Sequence, residues 1–278
     1  MEKEQEKKQE DMTEEEFLAA YKPGNYERPS VTVDMLVFCV GDKKDALKVL
    51  LVKRKKHPYK ECWAVPGGFI NMDESAGEAA KRELQEETGL EQVYLEQLYT
   101  FSNPKRDPRM RVLSIAYLAL IPEMPLKAGD DAADAAWFTI EETEGQVLLY
   151  NEERDVRMQY AIKDNVFRNG VLTIDDYYLE TAGGAEFAFD HQNLFYTGLV
   201  RLRNKAVYTP LLFNLVPEQF TLPQLQKVYE LVLNKKMYKT SLMRMVEGYI
   251  EKTGEKMERK GKSSGKHPMY YRYRPKIR

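Results

Sequence analysis

Residues 68–90, with the sequence GFINMDESAGEAAKRELQEETGL, hold the side chains of this chain that are best suited to chemistry. An ideal helix, at about 100° per residue, gathers the apolar residues of this segment on one arc, formed by Ala76, Ala79, Ala80 and Leu84. Glu83 and Glu87 fall inside that arc, and Glu86 lies at its edge. Carboxylates on a packing face carry a heavy desolvation cost unless cations compensate them. Three carboxylates at i, i+3 and i+4 therefore predict an oxygen-rich site for Mg²⁺ or Mn²⁺.

The alternative interpretation of this segment is a solvated acidic helix. Such a helix would place its glutamates opposite the alanines, but the residues found there are Glu78, Lys81 and Gln85. The pattern therefore favours a metal site.

The glycines and the arginine around the glutamates each have a structural explanation. Gly67 and Gly68 permit a tight turn that brings a backbone carbonyl close to the metal. Gly89 suits the left-handed position that ends a helix. Arg82 can orient neighbouring carboxylates by bidentate pairing.

The same segment resembles the Nudix (MutT-like) box, G-x5-E-x7-R-E-U-x-E-E-x-G-U, where U is apolar. All specified positions are filled: Gly68, Glu74, Arg82, Glu83, Leu84, Glu86, Glu87, Gly89 and Leu90. The resemblance implies a magnesium-dependent (or manganese-dependent) pyrophosphohydrolase. In it, the ions are held by Glu83, Glu86, Glu87 and the carbonyl of Gly67, and Glu74 is the structural partner of Arg82. The ions would bridge diphosphate oxygens and activate water.

A second cluster of functional candidates follows the box in SNPKRDPRMRVLSIAYLAL, residues 102–120. Arg106, Arg109 and Arg111 lie in a loop that enters a strand, which suits contacts to phosphate or carboxylate. A solvated basic loop is the alternative that composition leaves open. The pattern N-P-x-R-D-P-R before an apolar strand is similar to ADP-ribose pyrophosphatases, which implies that these arginines bind substrate. Trp63 and Phe69 could stack on a base, but we expect both to pack in the core.

The elements that must position these residues follow from the hydrophobic pattern. Two β-rich runs, residues 31–40 and 48–53, predict a hairpin, and helical periodicity appears at residues 74–88. Further strands are expected at residues 92–101, 111–121 and 135–140. This order predicts an α+β fold with a mixed sheet, which the resemblance specifies as the Nudix α/β/α sandwich.

Residues 147–187 are longer than the resemblance leads us to expect. Alternation of apolar and polar residues predicts a hairpin of residues 154–162 and 171–179. We expect an insertion in the first domain, with residues 181–184 as the joint to the C-terminal domain. Its contribution to a pocket or to a dimer is left open.

Charge divides the chain. Residues 1–190 carry 24 Lys and Arg against 38 Asp and Glu, a net charge of −14, whereas residues 191–278 carry 18 against 6, a net charge of +12. The second part is therefore expected to bind a polyanion. Neither part contains an apolar run of the ~20 residues that a membrane span needs.

The C-terminal pattern predicts a winged helix-turn-helix domain. Helices are expected at residues 222–233 and 240–250, followed by a basic, glycine-punctuated loop and a return strand at residues 269–274. The expected DNA contacts lie on the second helix and the wing: Lys239, Ser241, Arg244, Lys260, Lys262 and Lys266. A helical dimerisation domain with a solvated basic tail is the alternative.

The whole layout resembles the Nudix-related transcriptional regulators of NAD metabolism and sugar use, which join a Nudix domain to a C-terminal winged helix. Further similar segments are YERPSVTVD at residues 26–34 and FDH at residues 189–191. We therefore expect a charged N-terminal segment at residues 1–24, a Nudix domain at 25–187 and a winged helix-turn-helix domain at 188–278. The resemblance implies duplex DNA as a partner and a homodimer.

Two functions follow. The first is a Mg²⁺-dependent hydrolase that cleaves a nucleoside diphosphate derivative, ADP-ribose being the best candidate, and that carries a DNA-binding winged helix. The second is an ADP-ribose-sensing transcriptional regulator with little or no turnover. Because the box is intact, hydrolysis is ranked first.

The N-terminus has no secretory h-region and the two cysteines form no disulfide framework, so a cytoplasmic location is expected. The general base is not identified, although Glu141, Glu142 and Glu144 are candidates.

Overall fold

The computed structural model describes residues 12–22, 24, 26–41, 46–89, 93–124, 132–169, 171–256 and 268–275. A short N-terminal helix, α1 (Glu14–Ala20), begins at Thr13, whose side chain accepts from the Glu16 backbone while the Glu16 carboxylate accepts from Thr13. This reciprocal arrangement satisfies two amides that a helix start leaves open. None of the helices in these ranges combines the length and apolar character needed to cross a bilayer.

Ten strands form one sheet in the first two thirds of the chain: β1 (Ser30–Gly41), β2 (Ala46–Arg54), β3 (Trp63–Ala64), β4 (Gly67–Phe69), β5 (Tyr94–Phe101), β6 (Val112–Leu120), β7 (Ala132–Thr143), β8 (Gln146–Asn151), β9 (Val156–Asn169) and β10 (Leu172–Gly184). Their order is β10-β9-β8-β7-β2-β1-β6-β5, with β3 paired to β2 and β4 to β1. Strands β1 and β6 are parallel, and the other pairs are antiparallel. The predicted mixed sheet is confirmed.

Helices α2 (Ala76–Thr88) and α3 (His191–Ala206) cover opposite faces of this sheet. Side chains alternate between the faces of a strand, so β1 packs against both helices. On one face its residues pack with the apolar arc of α2: Val33, Met35 and Val37 with Ala79, Ala80 and Leu84. On the other face Leu36 and Phe38 pack with Leu194 and Phe195 of α3. The predicted α/β/α sandwich is confirmed.

A glycine sets the close approach of α3 to the sheet. A Cβ on Gly198 would lie 2.0 Å from Leu36 Cδ1 and 3.2 Å from Leu98 Cδ2. Any side chain here would push the helix away, so α3 is held tightly against β1 and β5.

The segment of residues 147–187 extends the sheet instead of forming a separate unit. The predicted hairpin is present as β9 and β10, which pair antiparallel, and β8 adds a strand that the sequence pattern did not indicate. Residues 181–184, predicted as an interdomain joint, belong to β10: Gly183 and Gly184 pair with Gln159 and Met158 beyond a register shift. The prediction of a joint there is wrong because the strand continues through the glycines.

The C-terminal part is a winged helix-turn-helix, as predicted. It consists of a 3-10 helix (Leu211–Leu215), β11 (Gln219–Thr221), α4 (Leu222–Leu233), α5 (Lys239–Val246), a second 3-10 helix (Glu247–Tyr249), β12 (Ile250–Lys256) and β13 (Met269–Tyr273). The strands are ordered β11-β13-β12. Helix α4 starts with a capping box of Thr221 and Gln224.

The apolar core runs through both parts of the chain. One cluster of buried residues contains Leu36 and Phe38 of the sheet together with Leu225 and Val228 of α4 and Leu242 of α5. Helix α3 therefore packs on the sheet and also contacts α4. The predicted boundary at residues 187/188 would assign this shared helix to the C-terminal unit alone.

Candidate functional site

Glycines 67 and 68 bring the backbone of β4 against its neighbours. A Cβ on Gly67 would lie 2.2 Å from the carbonyl oxygen of Val33, and one on Gly68 would lie 2.0 Å from Glu83 Oε1. Only glycine fits at Gly67, where the clash would be with backbone, whereas a side chain at Gly68 would displace the Glu83 carboxylate. As predicted, the structure brings the glycine turn and the carboxylate of Glu83 together.

Caps at both ends fix the position of the glutamate helix, α2. At its start Ser75 accepts from the Glu78 backbone and Glu78 accepts from Ser75, which forms a capping box. At its end Gly89 adopts φ 73°, and its N–H donates to the Gln85 carbonyl at 2.7 Å. The left-handed conformation predicted for Gly89 is confirmed.

Arg82 of α2 binds three carboxylates. Its Nη2 and Nε lie 2.8 and 3.1 Å from the two oxygens of Glu74, and its Nη1 lies 2.8 Å from Glu83 Oε1 and 3.4 Å from Glu86 Oε1. Hydrogen bonds from Arg82 and from the Asn71 backbone lower the pKa of Glu74 to about 2. Glu74 is thus paired with Arg82, and its structural role stays a prediction.

The glutamates are exposed to different degrees, and the pattern follows the predicted helix faces. The outward positions Glu78, Lys81 and Gln85 are exposed, whereas Glu83 and Glu87 are half-buried. The side chain of Glu86, at the edge of the apolar arc, is 55% exposed. Burial raises the pKa of Glu83, although its hydrogen bond with Arg82 lowers it. The cost of desolvating this carboxylate is the reason that a cation was expected here.

The donor set fits a hard divalent cation, but it is not assembled as a metal site. Within the described ranges no three or more His, Cys, Asp or Glu side chains are arranged to hold an ion; Arg82 instead binds Glu83 and Glu86. Carboxylate and carbonyl oxygens are the ligands that Mg²⁺ and Mn²⁺ prefer. Gly67, Glu83, Glu86 and Glu87 would hold such an ion, and the assignment stays a prediction.

Arg106, predicted to bind substrate, is buried and paired with two aspartates. Its side chain is only 5% exposed. It donates from Nη2 to Asp34 at 3.1 Å and binds both oxygens of Asp190 at 2.9 and 3.2 Å. Ser114 donates its hydroxyl to the same Asp34 carboxylate. The guanidinium therefore has three acceptor oxygens, one on the buried Asp34 and two on the half-buried Asp190, and its predicted contact with substrate would require these bonds to change.

The other two arginines of the loop are accessible. Arg109 is 41% exposed and makes a bidentate pair with Asp107 at 2.8 and 3.1 Å. Its guanidinium lies 5.9 Å from the ring centroids of Phe69 and Phe189. Arg111 is exposed and donates to the Val112 carbonyl at 3.4 Å. Their predicted role in substrate binding stays a prediction.

Sequence reasoning missed an aromatic patch beside the glutamate helix, formed by Arg54, Tyr59, Phe69, Arg109 and Phe189. The Arg54 guanidinium lies 4.9 Å from the Phe189 ring centroid, and the Tyr59 and Phe189 centroids are 4.7 Å apart. Phe69 is 46% exposed, so the expectation that it packs in the core is wrong, whereas Trp63 is buried as expected. The patch adjoins the glutamate helix because the Phe69 carbonyl accepts from Arg82 at 3.3 Å.

Backbone conformation marks the aromatic patch as well. Tyr59 and Phe189 have φ values of 60° and 55°, in the left-handed region that non-glycine residues rarely adopt. Such conformations concentrate at functional sites, where surrounding contacts enforce them. These φ values depend on tertiary contacts, so no local sequence signal indicated them.

A buried histidine connects the patch to the sheet. His191, the first residue of α3, accepts at Nδ1 from the Val65 backbone at 3.2 Å, and its Nε2 lies 3.8 Å from Asp34. Burial lowers its pKa in spite of the nearby carboxylates of Asp34 and Asp190. The imidazole is therefore neutral at physiological pH.

The predicted nucleic-acid face lies on α5. Leu242 and Val246 of this helix are buried, and its polar residues Lys239, Thr240, Ser241 and Arg244 are exposed, as expected. The wing residues Lys260, Lys262 and Lys266 lie outside the described residues. The exposed face of α5 is the part of the predicted interface that the structure describes.

The candidate general bases Glu141 and Glu142 lie away from the glycine turn. Both are in β7 beyond Thr139, which pairs with Lys48 near the Gly41 end of the β1–β2 hairpin, whereas Gly67 pairs with Asp34. From Asp34 to Gly41 a strand extends roughly 23 Å, at about 3.3 Å per residue. The two glutamates are at the opposite end of the sheet, so they are not brought to the site.

Two family signatures match consecutive parts of the chain. The NUDIX domain matches residues 29–159, and the NrtR DNA-binding winged helix domain matches residues 212–273. The ADPR responsive transcriptional repressor NtrR of Acinetobacter baylyi is 33% identical over 94% of this chain and 88% of its own length. An ADP-ribose pyrophosphatase of Methanocaldococcus jannaschii is 44% identical over 41% of this chain and 64% of its own length.

The arrangement of the whole chain also occurs in a solved structure. Shewanella oneidensis NrtR, crystallised with a 27mer DNA, aligns with a TM-score of 0.61 and 29% identity over 88% of this chain and 93% of its own. The two proteins therefore share a fold over most of this chain.

Proposed function

This chain belongs to the family of Nudix proteins that carry an NrtR-type winged-helix domain, and we propose that it binds duplex DNA in a manner controlled by ADP-ribose or a related nucleoside diphosphate derivative. The observation that carries this proposal is the attachment of a winged helix, with the exposed polar face of α5, to a domain with an intact box. Residues from both parts share one apolar core, which supports mechanical coupling between them. The relative from Acinetobacter baylyi, named as a responsive repressor, matches both parts.

The chemistry around the glutamate helix suits such a ligand. Exposed Phe69 and the strained Phe189 offer ring faces for a base, and Arg109 offers a cation for a phosphate. The oxygen donors of Glu83, Glu86 and Glu87 would hold the divalent ion that accompanies a diphosphate. A diphosphate joined to a nucleoside matches all three features.

Hydrolysis of the same ligand is the second candidate, and the complete box favours it. Arg82 and Glu74 are paired as the family pattern implies, and Glu83 lies against the glycine turn. When bound, the metal would neutralise charge on the diphosphate and activate water. The chain's own contribution would be to orient the carboxylates through Arg82.

Two further inferences accompany the proposal. We propose that residues 25–187 form the Nudix domain and residues 188–278 the DNA-binding part, whose first helix, α3, packs on the sheet of the Nudix domain. We also propose a homodimer, since winged-helix and helix-turn-helix readers bind paired half-sites.

One experiment tests both candidates. Duplexes would be selected from a random pool with the purified protein, and the affinity of the enriched duplex measured by fluorescence anisotropy with and without ADP-ribose and Mg²⁺. Product release would be followed in parallel. We expect ADP-ribose to change DNA affinity at least about fivefold. An enriched duplex whose affinity ADP-ribose leaves unchanged, together with fast turnover, would leave hydrolysis alone as the function.

A further inference from the structure

Helix α3 runs from the candidate ligand site to the winged helix. At its start, Asp190 binds Arg106, which also binds Asp34 next to the glycine turn. The helix continues for 16 residues, roughly 24 Å at about 1.5 Å per residue. Its tight packing on β1 through Gly198 makes it a rigid element.

Near the other end of α3, Arg203 holds a polar junction between the two parts of the chain. Its Nη1 lies 2.7 Å from Glu142 Oε2 at the end of β7, and its Nε donates to the Val232 carbonyl at 2.9 Å. The Asn234 side chain donates to the Glu142 backbone carbonyl at 3.1 Å. A single guanidinium thereby connects the sheet, α3 and the last turn of α4.

The junction acts on the turn that orients α5. Val232 lies in the last turn of α4, whose carbonyls have no partner within the helix. Asn234 ends α4 in a left-handed conformation, φ 50° and ψ 40°, and begins the turn to α5. The bonds of Arg203 and Glu142 therefore set where that turn sits against the sheet.

Burial makes these bonds strong. The side chains of Arg203 and Glu142 are only 18% and 16% exposed. Charge-assisted hydrogen bonds in such surroundings are stronger than those between exposed groups. Beside the junction is a cavity of about 750 Å³ between the β7–β8 hairpin and α4, lined in part by Glu141, Lys227 and Asn234. This space borders both Glu142 and Asn234 of the junction.

Given the proposed function, on which this step rests, we infer that Arg203 is a positioning residue that transmits the state of the ligand site to the DNA-reading helix. The route is Arg106 to Asp190, along α3, and through Arg203 to Glu142 and the α4–α5 turn. Loss of the junction uncouples the two ligands without removing either binding surface.

The test uses the full-length protein with Arg203→Met and Glu142→Gln, and a matched control for each. Arg201→Met changes the same residue type on the same helix, but Arg201 donates to the Leu98 carbonyl and lies over the Tyr99 ring, away from the winged helix. Glu141→Gln changes the neighbouring carboxylate, which accepts from Tyr150. Glu142→Gln keeps the side-chain shape and the backbone bond to Asn234, so it serves if Arg203→Met does not fold.

The readout is the coupling ratio, the Kd for a duplex selected by the wild-type protein with ADP-ribose divided by that without it. We expect the junction variants to bring this ratio at least about fivefold closer to one. The Kd for ADP-ribose, measured by calorimetry without DNA, should change less than about twofold. Arg203→Lys should give a coupling ratio between those of the wild-type protein and Arg203→Met, because an ammonium can bind Glu142 but does not reproduce the guanidinium fork.

The outcomes distinguish failure of the proposed function from failure of this inference. A wild-type ratio of one overturns the proposed function and this inference with it. A wild-type ratio far from one that both junction variants retain, like Arg201→Met and Glu141→Gln, overturns the inference alone. Loss of coupling in the junction variants only, with unchanged ADP-ribose affinity, supports it.

Discussion

Arg82 and Glu83, neighbours in the chain, are joined by an ion pair of 2.8 Å, and Glu83 in turn lies against the backbone of Gly68. Consecutive helical residues point about 100° apart, so the pair forms only because the arginine reaches back toward β4. In this arrangement Arg82 holds the carboxylate at the glycine turn. The half-buried Glu83 has its charge balanced by a guanidinium where the family pattern implies a metal.

The first prediction concerns that charge. Glu83→Gln keeps the shape of the side chain but removes a ligand charge, so ADP-ribose hydrolysis with Mg²⁺ should fall by about 100-fold or more. The fold should survive, because burial already disfavours the ionised form of Glu83. Turnover by product release and unfolding by circular dichroism measure the two effects. Glu87→Gln should behave alike.

Glu78→Gln is the matched control for these variants. Glu78 is exposed on the outer face of α2, and glutamine can replace glutamate in its capping box with Ser75. It should change turnover less than about twofold. Near wild-type turnover in both Glu83→Gln and Glu87→Gln would remove these residues from the catalytic assignment.

The second prediction separates Arg106 from Arg109. Arg106→Met leaves Asp34 and Asp190 without their buried cation, and breaking a buried pair costs about 3–5 kcal/mol of unfolding free energy. Arg109→Ala removes a pair in which the arginine is 41% exposed but the Asp107 side chain is only 6% exposed, so it should also cost some stability, though less than Arg106→Met. It should in addition weaken ADP-ribose binding by about 10-fold or more, since a hydrogen bond to a charged group contributes about 1.5–3 kcal/mol.

Urea unfolding and calorimetry distinguish these two effects. Arg111→Ala, an exposed position in the same loop, is expected to weaken ADP-ribose binding without loss of stability. Unchanged ADP-ribose affinity in both Arg109→Ala and Arg111→Ala would place the ligand away from this loop. A fully stable Arg106→Met protein would contradict the assigned role of the buried pair.

The third prediction is a pH dependence set by His191. Its folded pKa is lowered by burial, so the unfolded chain binds a proton that the native state does not. Stability is therefore complete above the unfolded pKa of about 6.5 and declines as the pH falls below it. We expect the urea midpoint of the wild-type protein to fall between pH 7 and pH 5 more than that of His191→Asn. The asparagine oxygen replaces Nδ1 as the acceptor for Val65. Parallel profiles for the two proteins would show that His191 does not cause the decline.

The sequence predicted best what is local. The glutamate helix and its glycine end followed from periodicity and residue type, whereas the Arg82–Glu74 pair, eight residues apart, was implied by the resemblance to the Nudix box. The capping boxes at Thr13, Ser75 and Thr221 are local in the same way, since each joins residues three apart. The hairpin of β9 and β10 was visible as alternation, although its strands extend further than predicted.

Contacts between distant residues were not accessible in this way. Arg106 meets Asp34 and Asp190 across 72 and 84 residues, so its burial could not be read from a basic loop. Arg203 meets Glu142 across 61 residues. The change in charge near residue 190 suggested a boundary before α3, but that helix packs on the sheet through Gly198. The change in net charge indicated that the two parts of the chain bind different partners, but it did not indicate where the apolar core divides.

The last prediction concerns the DNA-reading face. Its basis is the net charge of +12 over residues 191–278 and the exposed Lys239, Ser241 and Arg244 on α5. Each phosphate contact releases counterions, so log Kd should rise steeply with log salt, by about 0.9 per contact. Arg244→Ala should cost about 1–3 kcal/mol at the selected site and relax the preference at its base position, and Ser241→Ala should blunt the preference further.

Lysines of the wing should behave differently. Replacement of Lys260, Lys262 or Lys266 by alanine should weaken all duplexes alike and reduce the salt slope by about one per residue. Lys163→Ala serves as the control, since Lys163 pairs with Glu180 on the β9–β10 hairpin and not on the winged helix.

In a dimer with two-fold symmetry the selected site should be a near-palindrome, because each half-site meets the same helix. Anisotropy titrations at four salt concentrations give both slope and preference. If Arg244→Ala weakens selected and random duplexes equally, α5 contacts phosphates only and another element reads the bases.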